Sequence, residues 1–180
     1  MLVVFDSATL LLALFPDAKP PTDPETGDPV EDARDRVQYL IEVLDAESAT
    51  IIVPTPVMAE VLIKAGPVAS DIIGMVTSKS VFEVADFDLL AATEAAASMA
   101  DAMRRGGLKA DAVNAQVTKS KVKFDRQIAA IAKVKKAQRI YSDDGDLERL
   151  GKQIGIEVIK TRDLPHRPED PQQSLDFDTE

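Results

Sequence analysis

Five acidic residues stand where a predicted strand ends or a predicted helix begins. They are Asp6, Glu60, Asp125, Asp144 and Asp146. Carboxylates brought within several ångströms of one another cannot all ionise without a compensating cation, so such a cluster takes up protons or binds a metal. Oxygen ligands without cysteine or histidine select hard ions, chiefly Mg²⁺ or Mn²⁺. A metal held in this way can activate a water molecule and neutralise charge on a phosphate, which is the chemistry of phosphodiester hydrolysis.

Other catalytic chemistries are poorly supplied by this sequence. The absence of cysteine excludes a disulfide framework, a thiolate zinc site and a cysteine nucleophile. His166 is the single histidine and lies in a predicted tail, which disfavours imidazole acid-base catalysis and a Ser-His-Asp triad. Aspartyl-nucleophile phosphatases require Asp two residues after the first Asp, and the metal-adhesion motif requires Ser there, but this sequence has Ala8.

The acids need structural elements that bring them together, and the pattern of the chain predicts such elements. Apolar and β-branched runs predict strands at residues 2–5, 50–53, 81–84, 139–141 and 156–159. Helical spacing or composition predicts helices around residues 7–14, 37–44, 55–65, 68–77, 89–103, 126–137 and 147–153. This alternation predicts an α/β fold, a three-layer α/β/α arrangement with a five-stranded parallel sheet. Sites in such sheets form beyond the carboxyl ends of the strands, where the five acids would lie.

The chain is predicted to form one domain. Its 180 residues, 45% of them hydrophobic, are enough for one substantial core. The proline-rich stretch at residues 15–30 is predicted to be an exposed loop inserted into a domain at residues 1–160. Residues 161–180 are predicted to form an acidic, mobile tail. We find no basic leader or bilayer-length run in the sequence, and therefore expect a cytoplasmic location.

The charges of the chain are segregated. A net charge of -10 argues at first sight against a nucleic-acid partner, because phosphate binding depends on Lys and Arg. Residues 104–139, however, hold 11 Lys and Arg against two acids, a net charge of +9. Lys121, Lys123 and Arg126 flank Asp125 in this stretch and are predicted to bind the phosphates of a nucleic acid. Aromatic residues make up only 4% of the chain, so we expect contact mainly with the nucleic-acid backbone.

Each acid also has an ordinary structural explanation. Asp6, Asp125 and Asp144 could each cap a helix, and capping is the favoured role for any one of them alone. Asp146 could stabilise the first turn of a helix through the helix dipole. For Glu60, which borders an apolar stripe, a salt bridge with a lysine is about as good an explanation as a role in a site.

Four motifs, in order, resemble the PIN domain, and in particular the VapC-like toxins of prokaryotic toxin-antitoxin pairs. The resemblance covers the chain from Leu2 to about Lys160. The motifs are a strand ending in Asp6-Ser7, Glu60 on the helix after the second strand, Asp125 before an alanine-rich helix, and Ser142-Asp143-Asp144-Gly145-Asp146 after the fourth strand. No single motif is specific, but their combination and order are typical of this family.

The resemblance implies Mg²⁺ or Mn²⁺ dependence and endoribonuclease activity, in which a metal-activated water hydrolyses RNA. Asp6, Glu60, Asp125 and Asp144 are then the expected catalytic residues and metal ligands, and Asp146 is a fifth metal ligand. Ser7 and Ser142 would support them, with Ser142 helping to hold Asp144, whereas Asp143 would point away. An antitoxin and a second copy of the chain are the expected protein partners. The alternative is a non-catalytic module of the same fold that holds a protein or RNA partner.

Overall fold

The structure, a computed structural model, describes residues 1–106 and 119–168. Its strands are β1 (Leu2–Phe5), β2 (Thr50–Pro54), β3 (Phe82–Ala85), β4 (Arg139–Tyr141) and β5 (Glu157–Ile159). Its helices are α1 (Ser7–Leu14), α2 (Ala33–Ala46), α3 (Thr55–Ala65), α4 (Ala69–Ser78), α5 (Leu89–Arg104), α6 (Lys119–Val134) and α7 (Gly145–Ile154). Short 3-10 helices span Gly66–Val68 and Thr161–Asp163. Every predicted strand is present, so the predicted α/β fold class is confirmed.

The five strands form one parallel sheet in the order β3-β2-β1-β4-β5. Val3 pairs with Ile51 of β2 on one side and with Arg139 of β4 on the other, so β1 is the central strand. The chain builds the sheet outward from β1 to β3 and then returns to add β4 and β5 on the opposite side. The carboxyl ends of β1 and β4 therefore meet where the strand order reverses, the usual location of a ligand site in such sheets.

Helices cover both faces of the sheet, because side chains of a strand point alternately to its two faces. Val3 and Phe5 belong to the core beneath α2, to which Val37 also contributes. Val4 points the other way, into the core that α3, α4, α6 and α7 share, where Ile131 is among its neighbours. Both cores are fully apolar at their centres, which produces the predicted three layers.

The apolar stretch Thr55–Ser78 is two helices. By length and composition alone it could cross a membrane, contrary to the prediction that no run could. Gly66, with φ of 54°, ends α3, and Gly66–Val68 separates it from α4. Val57 of α3 and Val76 of α4 are fully buried in the core on the sheet.

Residues 161–168, the first part of the predicted mobile tail, pack against the domain in this structure. Leu164 is only 5% exposed and belongs to the core beneath α2. The Arg36 guanidinium of α2 donates hydrogen bonds to the carbonyl oxygens of Arg162 at 3.0 Å and Leu164 at 2.8 Å. Residues 169–180, the remainder of the predicted tail, lie outside the described residues.

The insertion at residues 15–30 is largely exposed, as expected from its prolines and acids. Its regular pairing within the described chain is limited to an isolated bridge between Thr22 and Pro29. Arg162 Nη1 lies 2.9 Å from a carboxylate oxygen of Asp23 and 2.9 Å from one of Glu25. The insertion is therefore tied to the folded segment that follows β5.

Candidate metal centre

Asp6 caps a helix and also contacts a residue that follows β4, at the switch point of the sheet, where the strand order reverses between β1 and β4. Its Oδ1 accepts a hydrogen bond from the backbone N–H of Thr9 at 2.7 Å, which caps α1. Its Oδ2 accepts a hydrogen bond from the hydroxyl of Ser142, which follows β4. Burial raises the pKa of Asp6 to about 6, although the hydrogen bonds from Ser142 and Thr9 work in the opposite direction. Asp6 therefore caps α1 and also belongs to the candidate site.

Ser142 connects the acids that follow the two central strands. Its buried hydroxyl donates to Asp6 and accepts from the backbone N–H of Asp144 at 3.0 Å. Oδ1 of Asp144 caps α7 by accepting from the N–H groups of Asp146 at 2.7 Å and Leu147 at 3.2 Å. Oδ2 of Asp144 makes no part of this cap, so it is available to a cation. Ser142 therefore holds Asp144 as the sequence predicted.

Asp125 lies inside α6, whereas the sequence predicted it at the start of a helix. Within the described chain α6 covers Lys119–Val134, and Val122 in the part before Asp125 is only 9% exposed. Asp125 therefore caps nothing, yet it is only 6% exposed. Burial raises its pKa to about 6; Lys121 lowers the pKa and the charge of Asp144 raises it. A buried carboxylate of this kind either takes up a proton or keeps its charge beside a cation.

Asp125, Asp144 and Asp146 form a compact group. One carboxylate oxygen of each lies within 4.8 Å of those of the other two. Opposite ligands of an octahedral Mg²⁺ are about 4.2 Å apart, since each Mg–O distance is about 2.1 Å. All three donors are carboxylates, the ligand type that hard divalent ions prefer. These residues therefore fit Mg²⁺ or Mn²⁺ with small side-chain movements, and Asp146 is one of the three, although it was predicted only as a fifth ligand.

Lys121 of α6 lies among these three acids. Its Nζ is 2.6 Å from Oδ2 of Asp144, 3.2 Å from Oδ2 of Asp125 and 3.3 Å from Oδ2 of Asp146. Burial alone would lower the pKa of Lys121, because it disfavours the charged ammonium. The hydrogen bond to Asp144 and the nearby negative charges have the larger effect, and the pKa of Lys121 is raised. The sequence predicted Lys121 as a phosphate ligand, and the structure shows it as the counterion of the acidic group.

Glu60 lines the same cavity but lies outside the compact group. Its side chain is 37% exposed, and its Oε1 is 3.4 Å from Nζ of Lys64. The salt bridge that the sequence offered as the alternative is therefore present. The cavity, about 860 Å³ in volume, is nevertheless lined by Asp6, Glu60, Asp125 and Asp144 together. The structure thus brings the four predicted catalytic acids to one cavity.

The rest of the cavity wall is largely apolar. Its apolar residues are Ala8, Pro56, Ala59, Ile63, Phe124, Ile128 and Leu147. Ser7, predicted to support the site, also lines the cavity. Asp143 is held by Thr161, whose backbone N–H at 3.0 Å and hydroxyl both donate to its carboxylate. Asp143 nevertheless also lines the cavity, contrary to the expectation that it would point away.

The predicted nucleic-acid residues differ in their accessibility. Arg126 is only 2% exposed, and this burial contradicts its predicted contact with phosphate. Lys123 is exposed on α6 and can be reached by a nucleic acid. Further along α6, Lys133 pairs with Glu94, an arrangement typical of a solvated helix face.

Comparison of sequences gives no relative: no protein-family model matches this chain, nor does any curated protein sequence. Solved structures do match. A chain of VapBC2 from Rickettsia felis bound to a promoter DNA fragment has 14% identity, with 89% of this chain and 98% of that chain covered and a TM-score of 0.56. A chain of DNA-bound VapBC from Salmonella typhimurium has 16% identity, coverages of 89% and 99%, and a TM-score of 0.55.

A third match is a chain of FitAB bound to the IR36 DNA fragment. It has 17% identity, covers 92% of this chain and 99% of that chain, and has a TM-score of 0.57. Such low identities show the fold alone. The predicted PIN-like fold is therefore confirmed.

Proposed function

We propose that this protein is a Mg²⁺- or Mn²⁺-dependent endoribonuclease. The observation that carries the proposal is the convergence of Asp125, Asp144 and Asp146, whose carboxylate oxygens lie within 4.8 Å of one another at the switch point of the sheet. Asp125 and Asp144 line a cavity whose other walls are largely apolar, and surroundings of low polarity strengthen the interactions between charges. A hard ion and a phosphate are the ligands that such a site suits.

Each acid has a distinct part in the proposed reaction. Asp125, Asp144 and Asp146 hold the ion directly. Asp6, whose two oxygens already accept hydrogen bonds, orients Ser142 and acts on the ion through water. Glu60, more exposed and on the α3 side of the cavity, also acts through water. A divalent ion bound there lowers the pKa of a water molecule and neutralises charge on the scissile phosphate.

We further propose that the protein is the toxin of a toxin-antitoxin pair and associates as a homodimer. The support is the fold shared with chains of the VapBC and FitAB complexes. The acidic cavity accommodates a lysine ammonium in this structure, so a basic side chain of an antitoxin would be a suitable blocking group. The rival function is a non-catalytic module that uses this cavity to hold a protein or RNA.

Cleavage of labelled single-stranded RNA in Mn²⁺ tests the proposed function. The wild-type protein should cut the RNA, and Asp125→Asn should lower the rate by at least about a hundredfold because it removes an ion ligand. Asp88→Asn is the control: it makes the same change of side chain at a residue that caps α5 and is not among those that line the cavity. Single-stranded DNA belongs in the same assay, because a water nucleophile does not require the ribose hydroxyl.

The outcomes of this assay separate the two functions. Mn²⁺ binding without cleavage would favour the binding module over the enzyme. An Asp125→Asn protein that cuts at the wild-type rate would refute the role of Asp125 in particular.

A further inference from the structure

We propose that Lys121 is a built-in competitor for the divalent ion, which must displace the lysine ammonium in order to bind. This inference rests on the metal site of the proposed function. It concerns how that site is filled and emptied, and it assigns Lys121 a role different from phosphate binding alone.

The geometry gives the ammonium and the ion the same position. Nζ of Lys121 is within 3.3 Å of one oxygen of each of the three acids, Asp125, Asp144 and Asp146. An ion held by the same carboxylates would contact the same oxygens, at about 2.1 Å. Two cations sharing these oxygens would lie within a few ångströms of each other, where like charges repel strongly. The compact group can therefore hold the ammonium or the ion.

The same contacts explain why the acids tolerate one another when no ion is bound. Asp125 is buried inside α6 and has no helix end to cap, so its charge depends on a neighbouring cation. Lys121 is one helical turn away, at the i, i+4 spacing that places side chains together. Lys121 therefore acts as a resident counterion that keeps the acids close before an ion arrives.

Displacement of Lys121 requires no movement of the backbone. Its side chain is 40% exposed, so part of it already borders solvent. The four-carbon stem of lysine is flexible, and rotation about its bonds can move Nζ into solvent. Once displaced, the ammonium remains tethered to α6 near the cavity, where it can contact a phosphate. Ion binding and phosphate binding by Lys121 would thus be coupled.

Competition of this kind lowers the apparent affinity for the ion in proportion to the fraction of protein in which Lys121 has left the site. Removal of the ammonium should therefore tighten ion binding. A role as a simple surface salt bridge makes no such prediction. If Lys121 helped to hold the ion, its removal would weaken binding instead.

Isothermal titration of the full chain with Mn²⁺ tests the proposal. Lys121→Met should lower the Kd for Mn²⁺ by at least about tenfold, because the competing cation is gone. Lys121→Arg keeps a positive charge on a long side chain and should change the Kd much less. Lys133→Met is the matched control: Lys133 is on the same helix, pairs with Glu94 and should leave the Kd unchanged.

A second readout follows the ammonium itself. In the wild-type protein, the NMR signal of the Lys121 ammonium should be protected without ion and shift or vanish when Mg²⁺ is added.

Lys121→Gln serves as a second neutral variant if Lys121→Met fails to fold. A neutral variant that binds Mn²⁺ no more tightly than the wild type overturns the proposal, including the case in which neither binds. Cleavage of RNA by the wild type would leave the proposed function standing even then.

Discussion

Single carboxylates in this protein perform two tasks because a carboxylate has two oxygens. In Asp6 one oxygen caps α1 and the other accepts from Ser142. In Asp144 one oxygen caps α7 and the other contacts Lys121. Asp88 makes only the cap, on α5. Asp6 and Asp144 differ from Asp88 in that their second carboxylate oxygen contacts a residue from another part of the chain.

The burial of Asp6 predicts a stability that depends on pH. Its pKa rises from 3.8 to about 6 on folding, so the folded state holds more protons than the unfolded state between these values. The contribution of Asp6 to stability therefore falls as the pH rises from about 4 to above 6, by up to about 3 kcal/mol. Asp6→Asn keeps a cap and removes this charge. It should raise the free energy of unfolding in urea by about 1–3 kcal/mol at pH 8, without divalent ions, and much less at pH 4.

The control for this prediction is Asp88→Asn, an exposed cap with the same change in chemistry. It should alter the stability little at either pH. An Asp6→Asn protein that is less stable than the wild type at pH 8 would contradict the cost assigned to the buried charge.

The sequence predicted that the candidate acids lie near one another, but it did not indicate that Lys121 lies among three of them. Asp6 and Asp144 follow strands that alternate with helices, so the rule for parallel sheets placed them together. The contact of Lys121 with the acids was not predicted, because the segment before Asp125 shows no clear apolar stripe. Helix α6 was therefore predicted to start after Lys121. Arg126 was predicted to bind phosphate because it is next to Asp125 in a basic stretch, and its burial depends on packing that a local pattern does not contain.

At the scale of elements, buried parallel strands and helices with one apolar face have patterns that are easily recognised. Strand β1 is a nearly continuous apolar run, and α3 carries a buried stripe that includes Val57 and Val61. The predicted strands therefore match the structure within two residues. The folded segment 161–168 could not be found in this way, because Leu164 and Arg36 are 128 residues apart in the chain.

The contact between α7 and β5 predicts a strict requirement for glycine at position 151. A Cβ at Gly151 would meet the side chain of Val158 and lie 2.8 Å from the carbonyl oxygen of Ile156. Gly151→Ala should therefore destabilise the protein by about 1–3 kcal/mol through overpacking. Thermal or urea unfolding measures this change.

Gly74 provides the opposite case for comparison. It lies inside α4, and a Cβ there would meet nothing within 4 Å. Gly74→Ala should stabilise the protein by up to about 1 kcal/mol, because alanine favours the helix. If both substitutions changed stability in the same direction, the close packing of α7 on β5 would not be the cause.

At the scale of the whole molecule, hydrogen bonds and salt bridges of arginine side chains join parts of the chain that are remote in sequence. Arg36 of α2 holds the backbone after β5, and Arg162 from that segment holds Asp23 of the insertion. Arg167 continues the attachment through Glu42, at 2.6 Å. The insertion, α2 and the end of the described chain thus form one connected surface.

Arg36 is predicted to be the main attachment of residues 161–168. Arg36→Met removes the hydrogen bonds to two carbonyl groups and leaves a stem of similar size. Amide hydrogen exchange of residues 161–168 should accelerate, while exchange in β1 and β4 stays slow, because local opening does not require global unfolding. Arg104→Met is the control, since Arg104 is 71% exposed and pairs only within its own helix turn with Asp101 among the contacts described.

The central claim is that Asp125 of α6 and Asp144 and Asp146, which follow β4, create a site for one hard divalent ion. The most direct measurement is an anomalous difference map from a crystal of the full chain grown with Mn²⁺. We predict a manganese peak in contact with Asp125, Asp144 and Asp146, with Nζ of Lys121 moved away from these acids. A map with no peak there, with the ammonium still among the three carboxylates at saturating Mn²⁺, would contradict the claim.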